Sequence, residues 1–326
     1  MTGARAEGHD DRAGNFLQNS PRTGGASPAR LLRLGFVFPQ TEIGPDPGAV
    51  RAVAEAAEAL GFDHLLAFDH VLGAVPRGPH WTGYTHEHPF HEPFVLFAYL
   101  AGLTRRVEFC TGILVLPQRQ TALVAKQAAE VDVLSGGRLR LGVAVGWNPV
   151  EYEALGADFH TRGARIAEQI AVLRALWTQE VVTVEGRWHR ILQAGLRPLP
   201  VQRPIPIWLG GHDDRVLRRA AALADGWIAV GMGTPPTSGA VPPPRPELPV
   251  LVERLRVYLR EAGRAGEAFG LEGRVRYADG PEAWRAFAER WRALGGTHLS
   301  VSTLGAGLAS VDGHLRAMET IVRTLR

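Results

Sequence analysis

The strongest constraint on the fold is an alternation of short apolar segments with segments of helical length, which repeats eight times from Arg33 onward. The short segments are apolar, as expected for strands buried on both faces, and the helical segments carry apolar stripes. Strands are predicted at residues 34–38, 64–68, 110–116, 139–145, 205–209, 226–230, 274–277 and 298–302. Eight strand–helix pairs predict a single (β/α)8 barrel of the α/β class.

An open, doubly wound sheet is the structural alternative. Such a sheet carries a glycine-rich dinucleotide turn after its first strand, whereas Pro39-Gln40-Thr41-Glu42 stands there in this chain. The barrel is therefore favoured. Residues 181–204 alternate around Glu185-Gly186, which predicts a hairpin-like insertion before the fifth strand.

Composition excludes several classes of protein. A net charge of +3, spread over 326 residues, leaves no basic stripe for nucleic acid. Cys110 is the only cysteine, which excludes an intrachain disulfide and a cysteine-based metal site. Lys126 is the only lysine and falls in a predicted helix, which argues against Schiff-base chemistry. Residues 1–30 hold no apolar run, so we expect a disordered tail, one barrel domain over residues 31–326 and a cytoplasmic protein.

The carboxyl ends of the strands hold the active site of a parallel barrel. Asp69 and His70 end the second strand as a titratable pair, and His70 is a candidate for proton transfer or contact with a cofactor ring. A histidine that only anchors the next loop is the alternative. Thr111-Gly112 places glycine inside a strand, which indicates a backbone irregularity or close approach of a ligand. Gly210-Gly211 before a helix favours a phosphate site over a simple tight turn.

Two other loops carry aromatic residues. Trp147, in Gly146-Trp147-Asn148 after the fourth strand, is predicted to wall a pocket for a flat ring or an apolar substrate, with plain packing as the alternative. The long loop after the second strand, with Trp81 and Tyr84, is predicted to be a mobile lid. The same loop contains three histidines, a residue type that binds zinc or iron: His86, His88 and His91. A metal-dependent barrel hydrolase is therefore an alternative hypothesis.

Three segments in this order resemble the bacterial-luciferase-like monooxygenase family, and most closely its branch that uses the deazaflavin F420. They are LGFDHLLAFDH at residues 60–70, the segment beginning TGILVLPQRQ at 111–156, and PIWLGGHDDRVLRRAAALADGW at 206–227. The resemblance runs from Leu34 to the C-terminus. It implies a (β/α)8 barrel that holds a flavin or deazaflavin ring at its mouth, and commonly a homodimer.

The resemblance also implies roles for single residues. His70, with Asp69 beside it, would stand near the reactive edge of the ring. The strand at Thr111-Gly112-Ile113 would back the ring, often through a non-proline cis peptide. Gly146-Trp147-Asn148 would contribute to cofactor binding, and Gly210, Gly211 and His212 would hold the cofactor phosphate.

Some members of the family that oxidise sugar phosphates carry a glutamate after the fourth strand, where this chain has Trp147. A sugar-phosphate substrate is therefore not expected. A more apolar substrate is expected instead, in a pocket formed by Phe38, Trp81, Tyr84 and Trp147. The expected function is F420-dependent hydride transfer. The alternatives are an FMN-dependent monooxygenase that uses reduced flavin and O2, and a flavin-binding paralogue without catalysis.

Overall fold

The computed structural model describes residues 32–76, 83–229 and 246–326. Eleven strands are formed by these residues: β1 Arg33–Val37, β2 His64–Ala67, β3 Glu108–Thr111, β4 Leu114–Val115, β5 Leu139–Ala144, β6 Val182–Glu185, β7 Arg190–Ala194, β8 Ile207–Gly210, β9 Gly226–Ile228, β10 Gly270–Arg276 and β11 His298–Ser302. β6 and β7 pair antiparallel as the predicted hairpin. The other nine strands form one parallel sheet.

The parallel sheet closes on itself. The neighbours run β3, β2, β1, β11, β10, β9, β8, β5, and a further pairing of β3 with β5 completes the ring. β4 continues the third position after a break at Gly112-Ile113 and pairs with β5. The barrel therefore has eight strand positions, which confirms the predicted fold class.

Within the same described ranges, nine α-helices accompany the strands: α1 Pro47–Ala59, α2 Pro93–Leu103, α3 Thr121–Ser135, α4 Pro149–Ala154, α5 Arg162–Thr178, α6 Asp214–Leu223, α7 Leu248–Glu261, α8 Gly280–Ala293 and α9 Val311–Leu325. The side chains of Asp46, Glu92 and Asn148 cap α1, α2 and α4 by accepting backbone N–H groups. α4 is an extra short helix that the sequence pattern did not predict. Within the described ranges, no helix combines the length and apolar composition that crossing a membrane requires.

The two faces of the barrel wall carry different residues, as the two-residue period of a strand requires. Phe36 and Phe38 point outward into the large core between sheet and helices, whereas Val37 points into the barrel. Phe38, predicted to line the substrate pocket, is fully buried in the outer core. The expectation is therefore corrected: Phe38 directly follows the inward-facing Val37 at the end of β1, so its side chain points to the opposite face.

The barrel interior contains a buried polar network. Glu272 accepts hydrogen bonds from Arg140 at 2.6 Å and from Ser300, and lies 2.9 Å from His64. Burial alone would raise the pKa of Glu272, but the charges of Arg140 and His64 outweigh it and hold the pKa well below its usual range. The arginine stacks 4.1 Å above the ring of Trp208. A buried ion pair therefore replaces part of the usual aliphatic filling.

The seventh barrel strand begins earlier than predicted, at Gly270 rather than Arg274. The indole of Trp208 occupies the space beside this strand: a Cβ at Gly270 would lie 2.0 Å from it, and one at Gly226 would lie 2.4 Å away. Glycine is depleted in strands, so the sequence pattern missed a segment in which glycine makes room for a neighbouring ring.

Candidate active site

A cavity of about 510 Å³ opens at the carboxyl ends of the barrel strands. Its wall combines aromatic rings, glycines and a few polar groups, as ligand pockets in enzymes generally do. Residues from five strand ends contribute: Phe68, Asp69, His70, Tyr84, Gly112, Ile113, Val115, Ala144, Val145, Gly146, Trp147, Gly210, Gly211, His212, Asp213, Val216 and Arg274. The structure therefore brings most of the predicted site residues together.

One wall is made by the broken third strand. The peptide bond between Gly112 and Ile113 is cis, in agreement with the expectation drawn from the family resemblance. Both residues line the cavity, whereas Thr111 is buried and donates its hydroxyl to the carbonyl of Gly142 at 2.6 Å. Gly142 is required here, because a Cβ would lie 2.0 Å from the Thr111 carbonyl oxygen. Thr111 thus fixes the wall from behind and does not reach the cavity.

His70 also lines the cavity and is held by Glu151. The Glu151 carboxylate, 1% exposed, accepts a hydrogen bond from His70 Nδ1 at 3.1 Å and from the backbone N–H of Val71 at 2.7 Å. An ionised carboxylate only accepts, so this contact places a proton on Nδ1 and leaves Nε2 for a ligand. The ring packs 5.2 Å from Tyr84 and 5.9 Å from Trp147, centroid to centroid.

Asn148 brings Glu151 to this position. Its side chain accepts the N–H of Val150 at 3.1 Å and starts α4, whose first turn carries the glutamate. Asn148 is 2% exposed and is not part of the cavity wall. The predicted contact of Asn148 with the cofactor is therefore corrected. Its amide oxygen accepts a backbone N–H group, so the residue serves as a helix cap. The spacing Asn-x-x-Glu is a recognisable helix-start signal that sequence reasoning missed.

Asp69 is tied to the structure on both oxygens. Arg119 donates to it at 2.6 and 3.2 Å, and the N–H of Val115 donates at 2.9 Å. The carboxylate thereby fixes β4, directly after the break in the third strand. A carboxylate with these partners is better suited to holding the wall than to exchanging protons, so this geometry does not favour the predicted catalytic role of Asp69.

The Gly210-Gly211 turn forms the third side of the cavity. Gly211 has φ +138°, a conformation that side chains rarely allow, and its carbonyl accepts the indole N–H of Trp227 at 2.6 Å. Helix α6 starts three residues later, and no side chain caps its first N–H groups. A second cavity of about 550 Å³, which shares Val145, Asp213 and Val216 with the first, is lined by Arg162, Arg215 and Arg219. Cationic side chains and free N–H groups are the donors that bind phosphates and carboxylates.

The remaining predictions concern the loop after the second strand. Trp81, predicted to line the substrate pocket, is outside the described residues. Within the described part of the chain, no group of three or more histidines, cysteines or acidic residues is arranged to hold a metal ion. The ring of His88 accepts the N–H of Thr85 at 3.1 Å, and that of His91 packs against Phe38. The described residues of this loop, with His86, His88 and His91, therefore give no support to a metal-dependent hydrolase.

Besides Glu151, which holds His70 from outside the wall, seven wall residues were not predicted as site residues: Phe68, Val115, Ala144, Val145, Asp213, Val216 and Arg274. Phe68 and Val216 gave no signal beyond apolarity. Arg274 did give one: a charged residue inside a predicted barrel strand needs a partner, whether from the protein or from a ligand.

The fold and the cavity define a (β/α)8-barrel enzyme with its site at the carboxyl ends of the strands. The model of a family described as luciferase-like monooxygenase matches residues 19–306. The chain belongs to this family, and it is an oxidoreductase of the luciferase-like type.

Relatives differ in cofactor. An uncharacterised protein of Mycobacterium tuberculosis is 38% identical over 219 residues, which cover 65% of this chain and 72% of the relative. An FMNH2-dependent dimethylsulfone monooxygenase of Pseudomonas putida is 30% identical over 180 residues, which cover 54% of this chain and 47% of the relative. The solved structure of an F420-dependent secondary alcohol dehydrogenase with an F420–acetone adduct superposes with TM-score 0.65 at 16% identity, covering 90% of this chain and 98% of that one. At this identity the structural likeness shows the fold alone.

Proposed function

We propose that this protein is an F420-dependent oxidoreductase that transfers a hydride between the deazaflavin and an apolar organic substrate. The observation that carries the proposal is the pair of adjoining cavities. The first, of about 510 Å³, is lined by Gly112-Ile113 and by the aromatic group around His70. The second offers three arginines, Arg162, Arg215 and Arg219.

The second cavity favours F420 over FMN. Both cofactors carry a phosphate, for which the Gly210-Gly211 turn and His212 are the proposed partners. F420 carries additional carboxylates beyond its phosphate, and arginines are suited to such groups. FMN ends at its phosphate and would leave these arginines without a ligand.

When bound, the cofactor supplies the redox chemistry, with a hydride carried at C5 of the deazaflavin. The protein orients the reactants and excludes water. Ile113 supports one face of the ring space, and Trp147 with Tyr84 offers apolar surface for the substrate. His70, oriented by Glu151, accepts a hydrogen bond or a proton at Nε2.

A parallel titration of the protein with F420 and with FMN tests the cofactor. We expect tight binding of F420 and weaker binding of FMN. Arg215→Ala should weaken F420 by about 10-fold, the effect of losing one charge-assisted hydrogen bond, and leave FMN unchanged. Arg323→Ala, on the exposed side of α9, is the matched control. Tight FMN binding without F420 binding would contradict the proposal.

The second candidate is a monooxygenase that uses reduced FMN and O2. The 30% identity to the FMNH2-dependent dimethylsulfone monooxygenase favours it. Oxygen consumption in the presence of reduced FMN separates the two, because deazaflavins react poorly with O2. A cytoplasmic homodimer stays a prediction in either case.

A further inference from the structure

Arg274 is a cavity-wall cation whose charge the described residues leave without an ion-pair partner. It lies near the carboxyl end of β10 and faces the first cavity. Its Nη2 is 3.4 Å from the carbonyl oxygen of Gly112, the long limit of a hydrogen bond, and its Nε has no hydrogen-bond partner among the described residues. The guanidinium also stands 4.9 Å from the ring centroid of Phe68.

Two other arginines of the barrel have a carboxylate partner. Arg140, inside the same barrel, is paired with Glu272 at 2.6 Å, and Arg119 is paired with Asp69 at 2.6 Å. Glu272 is two residues from Arg274 on the same strand, but Arg140, His64 and Ser300 already occupy its oxygens.

An unpaired guanidinium in such a place is unfavourable for the free protein. Burial lowers the pKa of Arg274, yet an arginine stays protonated at any physiological pH. Unfavourable groups of this kind are typical of binding sites, where a ligand supplies the missing partner.

We propose that Arg274 anchors a planar oxyanion on the ligand of this cavity. Two sources have this chemistry: the carboxylate of an otherwise apolar substrate, and the conjugated O–C–N group of a reduced flavin or deazaflavin ring. The second source rests on the proposed function, whereas the first does not. Phe68 and Ile113 in the same wall keep water away, which strengthens a charge-assisted hydrogen bond.

Calorimetric titration of the cofactor-free full chain with benzoate and with benzamide tests the anchor directly. The two probes share their shape and differ in charge. We expect the wild type to bind benzoate 10- to 100-fold more tightly, the range expected for a hydrogen bond to a charged group. Arg274→Met should abolish this preference, and Arg274→Lys should keep part of it. Arg276→Met, which removes a neighbouring arginine already paired with Asp279 outside this cavity, should behave as the wild type.

The reduction potential of the bound cofactor distinguishes the sources. A more negative potential in Arg274→Met, with Arg274→Lys near the wild type, assigns the oxyanion to the reduced ring. An unchanged potential with a lost benzoate preference assigns it to the substrate. The benzoate titration needs no cofactor, so its result can be interpreted even if the protein does not bind F420.

Equal binding of the two probes by the wild type, together with an unchanged potential in Arg274→Met, would overturn the proposal. So would a lowered melting temperature of Arg274→Met with neither binding nor potential affected, since Arg274 would then serve packing alone.

Discussion

Replacing Glu151 by glutamine should reverse the tautomer of His70. In the wild type the carboxylate accepts from Nδ1 and from the N–H groups of Val71 at 2.7 Å and Leu72 at 3.3 Å. The single amide oxygen of glutamine can satisfy the two backbone donors, and its NH2 group then faces Nδ1. Because that group donates, Nδ1 becomes the acceptor and the proton moves to Nε2, the nitrogen left for a ligand.

The magnitudes follow from the bonds that change. The two backbone hydrogen bonds lose a charged acceptor and keep a neutral one, at about 1 kcal/mol each, so the free energy of unfolding should fall by about 2 kcal/mol. A positioned proton acceptor contributes about 10²- to 10⁴-fold to a reaction, and turnover should fall within this range. Glu151→Ala leaves the two N–H groups of Val71 and Leu72 without that acceptor and should destabilise by about 2–6 kcal/mol.

Nitrogen-15 NMR of histidine-labelled protein reads the tautomer directly, with His70→Asn used to assign the signal among the 12 histidines. Turnover is measured on the same preparations, and denaturant unfolding shows that Glu151→Gln remains folded. If His70 kept its proton on Nδ1 in Glu151→Gln and turnover were unchanged, the positioning role of Glu151 would be refuted.

Three other outcomes are expected. His70→Ala should lower turnover about 10²-fold or more at an unchanged melting temperature, and unchanged kinetics would remove His70 from the mechanism. Gly142→Ala should cost about 1–3 kcal/mol of stability because its Cβ meets a carbonyl oxygen at 2.0 Å, whereas Gly102→Ala, in open space on α2, should gain up to about 1 kcal/mol in denaturant unfolding. Burial, aided by Arg140 and His64, lowers the pKa of His298 from 6.5 to about 2, so the unfolded chain takes up a proton below pH 6.5 and the folded protein does not. The free energy of unfolding should therefore fall by up to about 1.4 kcal/mol for each pH unit below 6.5, and a slope unchanged in His298→Gln would contradict this.

The barrel could be predicted from the sequence because a strand buried on both faces is a continuous apolar segment. Such a segment can be recognised without knowing which strands lie beside it. The sequence was insufficient where glycine makes room for another residue, as Gly270 does for Trp208. The direction of a side chain was also hidden. A strand position read as facing the pocket at Phe38 faces the outer core, because one residue of register exchanges the two faces of a strand.

The candidate site was predicted as a set of strand ends, and most of its wall residues were found in this way. What could not be predicted is which polar groups are already bound. Asp69 and His70 are neighbours in sequence and both titratable, yet Asp69 is held by Arg119 while His70 keeps one nitrogen for a ligand. Such differences depend on residues about 50 to 80 positions away, which no local pattern contains.

The two arginines of the barrel interior show how the same chain separates stability from binding. Arg140 and Arg274 stand on different strands and interact with the same carboxylate, Glu272. Of these two arginines, only Arg140 donates a hydrogen bond to Glu272, and removing either member of that pair would leave a buried charge uncompensated and destabilise the barrel. Arg274 has no such bond, so its removal should relieve the free protein and weaken only the bound state. A variant series at these two positions should therefore give opposite changes in melting temperature, a difference that a purely structural role for Arg274 does not allow.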